Sequence, residues 1–196
     1  MKLADSKKDQ FRRLARDQGY RSRSAFKLKQ INESYRILNK GQCVVDIGCA
    51  PGGWLQIALS EVGHKGKVIG IDVKKIEPLT EAFIIQGNIE DEDIINSILN
   101  ISNSNVDVVL SDLSPNVSGN WDLDHARQID LTKSALKLSD KILKKGGKLV
   151  LKVFQGDMLN ELIVELKKEF KKVILTKPNA SRQVSSEIYL ICIDKL

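Results

Sequence analysis

Residues 43–54, CVVDIGCAPGGW, join a short apolar run to a glycine-rich turn. The run is β-branched and nearly continuous, which predicts a strand that is covered on both faces. Glycines in the turn allow the backbone to approach a ligand at the carboxyl edge of a sheet, in front of a helix N-terminus. This stretch therefore predicts an α/β fold with a ligand-binding loop after its first strand.

Short apolar runs and helical patterns alternate along the rest of the chain. Only about ten residues separate the last two runs, too few for a helical crossover, so the final strand is expected to be antiparallel. The alternation predicts a Rossmann-like α/β fold, with a mostly parallel seven-stranded sheet and helices on both faces. The predicted strands are 43–47, 67–71, 82–85, 106–110, 148–153, 172–175 and 188–193. The predicted helices lie near 53–62, 90–101, 122–144 and 157–169, and the letters KKGG at 144–147 predict a helix end.

The composition is that of a folded globular protein. The chain has 196 residues, of which 42% are hydrophobic and 29% charged, and no apolar run reaches the ~20 residues of a membrane span. This length suits one domain, which we expect to cover residues 1–196. Three cysteines are too few for a disulfide framework, and their spacing with the two histidines matches no zinc pattern. Because its start has no apolar signal segment, the protein is expected in the cytoplasm.

Positive charge is concentrated in the first fifth of the chain. Residues 1–40 contain 12 Lys and Arg against 4 Asp and Glu, a net charge of +8, whereas the other 156 residues have a net charge of −2. A basic helical arm beside a near-neutral body is typical of proteins that bind a polyanion, because each neutralised phosphate releases counterions. On charge alone, a solvated basic helix explains the arm equally well. If the arm binds a polyanion, the arginines expected to hold it are Arg12, Arg13, Arg16, Arg21 and Arg23.

The glycine-rich turn favours a nucleoside-bearing cofactor that has no pyrophosphate. The dinucleotide fingerprint G-x-G-x-x-G fails because Cys49 and Ala50 follow Gly48, and the turn has no Walker A lysine. A second acid, Asp72, closes the next strand, where it can accept hydrogen bonds from ribose hydroxyls. S-adenosylmethionine fits these features, and a tight βα turn with nothing bound is the alternative. The residues that carry this prediction are Asp46, Gly48, Gly52, Gly53 and Asp72.

Four charged residues are expected to meet at the same sheet edge. Lys152 interrupts an apolar strand, and a buried ammonium is costly unless it is paired or deprotonated. Asp112 closes another strand, Glu187 opens the antiparallel one, and Lys27 borders the apolar stripe of an early helix. Such a cluster suits removal of a proton from a weakly acidic hydroxyl. Lys27 as a snorkelling side chain and Glu187 as a solvated strand end are the alternatives. Metal binding would use the acids, but two lysines argue against it, so no metal is expected.

Five separated motifs carry a family resemblance. They are GYRSRSAFKL at 19–28, DIGCAPGGW at 46–54, SDLSPN at 111–116, LKVFQG at 151–156 and SEIY at 186–189. In this order they closely resemble the RrmJ/FtsJ family of S-adenosylmethionine-dependent RNA ribose 2'-O-methyltransferases, and the resemblance covers nearly the whole chain. It implies a class I methyltransferase fold with S-adenosylmethionine as cofactor. It also implies a catalytic tetrad of Lys27, Asp112, Lys152 and Glu187, in which Lys152 is central. The cofactor contacts that it implies are Gly52, Trp54, Asp72, Asn88 and Asp112.

Asn88 departs from the pattern, because many relatives carry Asp there. Its amide oxygen can still accept a hydrogen bond from the adenine amino group, so we expect weaker cofactor binding at most.

The resemblance also implies a substrate. VFQG at 153–156 and PNVSG at 115–119 are more similar to the large-subunit ribosomal RNA branch of the family than to the tRNA anticodon-loop branch. Members of the ribosomal branch methylate a uridine in the peptidyl-transferase A-loop. Ribosomal RNA or the large ribosomal subunit is therefore the expected partner, with no membrane and no required protein partner, and a monomer is expected. A tRNA methyltransferase, or a non-catalytic RNA-binding or ribosome assembly factor on the same fold, is the alternative.

Overall fold

Helices and strands alternate in the computed structural model, which describes residues 3–182 and 184–196. The helices are α1 Leu3–Asp17, α2 Ala25–Tyr35, α3 Gly53–Val62, α4 Glu92–Ser102, α5 Trp121–Ile142 and α6 Leu159–Glu169. The strands are β1 Cys43–Ile47, β2 Lys67–Asp72, β3 Ala82–Gln86, β4 Val106–Ser111, β5 Leu143–Phe154, β6 Phe170–Thr176 and β7 Glu187–Lys195. Every predicted strand and helix therefore has a counterpart in the structure.

The seven strands form one sheet in the order β3-β2-β1-β4-β5-β7-β6. β1 pairs in parallel with β2 and β4, β2 with β3, and β4 with β5. β7 runs antiparallel between β5 and β6. The predicted fold class is thus confirmed, including the antiparallel last strand. Because β7 runs in the opposite direction, its first residue lies at the edge where the parallel strands end.

Both faces of the sheet are covered by helices, as its nearly continuous apolar strands require. Val44 of β1 faces a core that includes Leu55 of α3 and Leu28 of α2. The next residue, Val45, faces the opposite core, which includes Ile129 of α5. Successive side chains of a strand point to opposite faces, so each strand supplies both cores.

The boundary between α5 and β5 differs from the prediction. The helix ends at Ile142, and the segment 144–147, which was predicted as a helix end, lies inside β5. Leu143 pairs with Val106 of β4, and the register between the two strands shifts before Val108. Gly146 has a φ of 74°, which is the left-handed region that favours glycine. The Lys-Gly segment therefore forms an irregular strand start and not a free turn.

The first helix packs on the body of the protein through aromatic contacts. The Phe11 ring lies 5.5 Å from the Phe26 ring of α2, and Ala15 packs in the same small cluster with Ala180. Among helices of the described ranges, none is both long enough and apolar enough to cross a bilayer.

Candidate active site

Two lysines and two acids meet at the carboxyl edge of the sheet. The Lys152 side chain is buried on β5, and its Nζ donates a hydrogen bond to the Asp112 main-chain oxygen at 2.7 Å. The same Nζ lies 3.3 Å from Asp112 Oδ1 and 4.0 Å from Glu187 Oε1. Lys27 Nζ donates to Glu187 Oε2 at 2.9 Å. The structure therefore brings together all four residues of the predicted tetrad, although their catalytic roles stay a prediction.

The topology explains this convergence. Asp112 directly follows β4, Lys152 lies near the end of the neighbouring β5, and Glu187 is the first residue of β7. Lys27 reaches the cluster from α2, where its side chain is only 6% exposed. A snorkelling lysine would keep its ammonium in water. The burial of Lys27 and its ion pair with Glu187 therefore argue against that alternative.

The two lysines control the ionisation of Glu187. Burial alone would raise the pKa of this carboxyl, but the positive charges of Lys27 and Lys152, together with the hydrogen bond from Lys27, hold its pKa below the ordinary value. Glu187 is therefore an anion at neutral pH, and its negative charge balances the lysines on either side.

Tyr189 belongs to the cluster, and the sequence analysis did not assign it a role. Its hydroxyl donates a hydrogen bond to Asp112 Oδ1 at 2.8 Å, and Lys27 Nζ lies 5.6 Å from its ring centroid. Burial, with the negative charge of Asp112 adding to it, raises the pKa of Tyr189 well above its ordinary value, so the phenol is a neutral donor. Tyr189 lies two residues after Glu187, and the strand period of two places both side chains on one face. This two-residue spacing from Glu187 is the feature of the sequence that could have indicated a role for Tyr189.

A cavity of about 770 Å³ lies beside the tetrad, between the loops that follow β1, β2, β3 and β4. Four of the predicted cofactor residues line it: Gly48, Asp72, Asn88 and Asp112. Its volume is within the range of small-molecule sites, which is roughly 300–1,000 Å³. Asp72 Oδ2 accepts from the Ala50 N–H at 2.9 Å and Oδ1 from the Lys74 N–H at 2.8 Å, so the carboxylate is held at the cavity wall.

The floor of this cavity is suited to a nucleoside-bearing cofactor. Gly48 has a φ of 75°, and a Cβ at this position would lie 2.6 Å from Leu113 Cδ2, so a larger residue would strain the backbone and displace the Leu113 side chain. Asp46 is not among the residues that line the cavity, so its contact with a cofactor stays a prediction. It is fully buried, and neither carboxylate oxygen has a hydrogen-bond partner in the described part of the chain. Burial, with the charges of Asp112 and Asp72 adding to it, raises the pKa of Asp46 well above its ordinary value. The cavity thus fits the predicted cofactor in size and in polar groups.

Gly52, Gly53 and Trp54 are not among the residues that line the cavity. A Cβ at Gly53 would collide with Ser22 Oγ. Trp54 is buried, and its Nε1 donates to the Ser24 main-chain oxygen at 2.9 Å. In the structure these residues hold the loop against the segment that precedes α2. Their contact with a cofactor stays a prediction.

The predicted RNA-binding arginines fall into two groups. Arg12, Arg13 and Arg16 are exposed on α1. By contrast, the Arg21 guanidinium donates to the main-chain oxygens of Pro51, Glu77 and Pro78, and Arg23 Nη2 donates to the Ala180 oxygen at 3.0 Å. The first group is exposed to solvent, although Arg13 Nε and Arg16 Nε lie 3.8 and 3.9 Å from the Asp17 carboxylate. The second group also joins separate segments of the fold.

Comparisons with known proteins agree with these features. The sequence model of a family described as FtsJ-like methyltransferase matches residues 20–195. A relative from Nitrosopumilus maritimus, named Ribosomal RNA large subunit methyltransferase E, is 49% identical over 98% of each chain. A protein of the same name from Methanothrix thermoacetophila is 48% identical, over 96% of this chain and 73% of that protein. A crystal structure from Plasmodium falciparum, assigned as a ribosomal RNA methyltransferase, superposes with a TM-score of 0.83 at 34% identity, over 90% of this chain and 99% of that one.

Proposed function

Because this chain belongs to the FtsJ-like methyltransferase family, we propose that it methylates a ribose 2'-hydroxyl of large-subunit ribosomal RNA. The observation that carries the proposal is the buried amino group of Lys152, held between Asp112 and Glu187 at the sheet edge beside the cofactor cavity. An RNA-binding scaffold has no need for a lysine inside a central strand, where burial of its charge is costly. A group-transfer site does need a proton acceptor next to its cofactor.

S-adenosylmethionine is the cofactor of this family, and it supplies an electrophilic methyl group when bound. In this chain, Asp72 and Asn88 would hold its nucleoside part, because both line the cavity and offer acceptor oxygens. Gly48 would allow the backbone to approach it closely. Asp112 lines the same cavity and contacts Lys152, so it joins the cofactor site to the tetrad.

In the proposed mechanism, Lys152 positions the ribose hydroxyl and takes its proton. Lys152 first releases its own proton to solvent, and the resulting amine accepts the hydroxyl proton as the oxygen is methylated. Asp112 and Glu187 stabilise the ammonium that this step forms. Lys27 balances the charge of Glu187 from its other side, and Tyr189 fixes the orientation of the Asp112 carboxylate. Holding the hydroxyl in line with the transferred group supplies a further part of the rate.

The choice of ribosomal RNA is supported by the two relatives that carry this substrate in their names. A uridine of the peptidyl-transferase A-loop is the finer target that we propose, from the resemblance of the segments 115–119 and 153–156 to the ribosomal branch. The proposal also takes the protein to act in the cytoplasm as a monomer without a required protein partner.

The test uses the purified full chain with methyl-labelled S-adenosylmethionine and three separate substrates: deproteinised large-subunit RNA, intact large subunits and total tRNA. Alkaline hydrolysis follows, because a 2'-O-methyl group blocks cleavage of the adjacent phosphodiester and leaves a labelled dinucleotide. We expect the label in alkali-stable dinucleotides from ribosomal substrates, with uridine at the 5' position. The Lys152→Ala variant is the control for contaminating activity.

Each other result contradicts a separate part of the proposal. Label in alkali-labile mononucleotides would indicate base methylation and overturn the ribose assignment. Label in alkali-stable dinucleotides from tRNA alone would contradict the ribosomal substrate but would still support ribose 2'-O-methylation. Binding of RNA without label transfer to any substrate would favour the assembly factor.

A further inference from the structure

A large aromatic side chain is exposed at the edge of the sheet that carries Lys152. Trp121 is the first residue of α5, and 47% of its surface is exposed. The other tryptophan of the chain, Trp54, is 2% exposed. A single exposed apolar residue is common on protein surfaces and does not indicate a binding site. A binding role for Trp121 must therefore be argued from its surroundings.

Two further rings hold the indole in place. The rings of His125 and Phe154 lie 5.8 and 6.0 Å from it, at interplanar angles of 17° and 19°. His125 packs in turn on Gly156, where a Cβ would lie 2.5 Å from the imidazole. Both nitrogens of this buried imidazole have no hydrogen-bond partner among the described residues, so its ring serves as packing. An aromatic surface fixed in this way loses little conformational freedom when a ligand binds.

The backbone around Trp121 is also fixed. The side-chain oxygen of Asn120 accepts a hydrogen bond from the Leu123 N–H and caps α5. In the preceding loop, the Ser118 and Gly119 N–H groups donate to the Asp124 carboxylate. The hydrogen bond from Ser118 is the main cause that holds the pKa of Asp124 below its ordinary value, so the anion that anchors the loop persists at neutral pH. The exposed indole therefore has a set position relative to the sheet.

That position is beside the tetrad. Phe154, which contacts the indole, lies two residues after Lys152 on β5, or about 7 Å along the strand. It is also the register partner of Glu187 on β7. Exposed apolar side chains continue along the same edge: Val117 in the loop after β4, and Met158 in the loop after β5. This edge therefore presents several exposed apolar side chains next to the reacting group, unlike the basic helix α1.

We infer that Trp121 is a stacking platform for an unpaired nucleobase of the RNA substrate, adjacent to the nucleotide whose ribose faces Lys152. The inference rests on the proposed function, and it adds a base-binding residue to a site that otherwise offers charged groups. Unpaired RNA bases are recognised by stacking on aromatic side chains, because every base has a flat π-face. A phosphate would instead require donors, which the exposed face of an indole does not present. The platform also gives the enzyme a preference for single-stranded loops over duplex RNA.

The test compares Trp121→Ala, Trp121→Leu and Trp121→Phe with Leu123→Ala, which removes a neighbouring exposed side chain from the same helical turn. Filter binding to poly(U) and to deproteinised large-subunit RNA measures affinity over a range of salt concentrations. Loss of base stacking is expected to weaken binding by about 5- to 150-fold in the Ala and Leu variants. The Phe variant, which keeps an aromatic face, and Leu123→Ala are expected to stay close to wild type. The salt slope should not change, because no phosphate contact is lost.

Fluorescence gives a second readout that does not need turnover. Poly(U) is expected to quench the emission of the exposed Trp121 in the wild type, and polyphosphate, which has the charge without the bases, is not. The quenching should vanish in Trp121→Phe, where the buried Trp54 is the remaining tryptophan. Unchanged RNA affinity in all three variants, or equal quenching by polyphosphate, would overturn the inference.

These outcomes are separate from a failure of the proposed function. If the wild type binds RNA with quenching but transfers no label, the platform stands and the enzyme assignment fails. If the wild type transfers label and Trp121→Ala retains its RNA affinity and KM, the function stands and the platform is wrong. If Trp121→Ala proves unstable in a thermal unfolding scan, the RNA affinities of Trp121→Leu and Trp121→Phe are compared instead, because both variants keep a large apolar side chain. Equal affinities in these two variants would contradict the stacking role.

Discussion

Replacement of Lys152 by alanine should remove methyl transfer while the cofactor still binds. Truncation takes away the Nζ that contacts Asp112 and Glu187, but Lys152 does not line the cofactor cavity. The strand should stay in place, because Gln128 Nε2 donates to the Lys152 main-chain oxygen at 3.0 Å whatever the side chain. Loss of a proton acceptor lowers kcat by about 10²- to 10⁴-fold, equivalent to about 3–5.5 kcal/mol of barrier.

Single-turnover transfer of the labelled methyl group measures the chemical step, and calorimetry measures the cofactor Kd. Lys148→Ala is the matched control, since Lys148 lies on the same strand four residues earlier and its Nζ donates to the Arg36 and Ile37 oxygens away from the site. It should lower the melting temperature without a large change in kcat. Lys152→Arg should be as inactive as Lys152→Ala, because a guanidinium keeps its proton. A Lys152→Ala protein that loses cofactor affinity in parallel with kcat would refute the assigned role.

Three further predictions concern the cofactor, the arm and the tetrad. Asp72→Ala should raise the cofactor Kd about 10- to 150-fold, as hydrogen bonds to a carboxylate contribute about 1.5–3 kcal/mol, and high cofactor concentration should restore part of the activity; an unchanged Kd would contradict the assignment. Reversal of charge at Arg12, Arg13 and Arg16 should flatten the salt dependence of RNA binding by roughly 0.7–0.9 log units per log salt for each lost contact, whereas a solvated helix predicts an unchanged slope. Because the pKa of Glu187 is lowered in the fold, its stabilisation is present at neutral pH and disappears as pH falls through that pKa. Glu187→Gln should therefore flatten the acid limb of a melting-temperature profile, and a limb as steep as in the wild type would exclude this carboxylate as its source.

The strands were predictable because a strand that is buried on both faces has a short and nearly continuous apolar run in the sequence. β1 matches its predicted range, and β7 is antiparallel as the short connection before it required. The start of β5 was not predictable from periodicity, since Lys144 and Gly146 are typical of a helix end. Pairing of Leu143 with Val106 of β4 outweighs that local preference. Tertiary pairing thus decided the one boundary where local and global signals disagree.

In the candidate site too, some residues could be predicted from their local sequence, whereas others depend on contacts between distant segments. A lysine within an apolar strand indicated Lys152 directly, because such a residue requires a partner. The sequence contains no comparable indication for Arg21, which was predicted only as a positively charged RNA contact. Its three main-chain acceptors lie 30 to 57 residues away in the sequence, so the sequence pattern could not reveal them. Trp121 likewise looks like an ordinary first-turn residue in the sequence. Only the fold places it next to Phe154.

In the proposed function, the cofactor cavity and the tetrad are separate parts of the site that share one residue. Asp72 lines the cofactor cavity but is not in contact with the lysines, whereas Lys152 belongs to the tetrad but does not line the cavity. Asp112 does both, and its carboxylate is fixed by the Tyr189 hydroxyl while its main-chain oxygen holds Lys152 Nζ. β4 ends at Ser111, so the chain leaves the sheet at the point where the cavity and the tetrad meet. The antiparallel β7 then brings Tyr189 and Glu187 to that same point from the other side. A seventh strand in the parallel direction would place its first residues at the opposite edge, and neither the neutral donor to Asp112 nor the counter-charge for the lysines would reach the site.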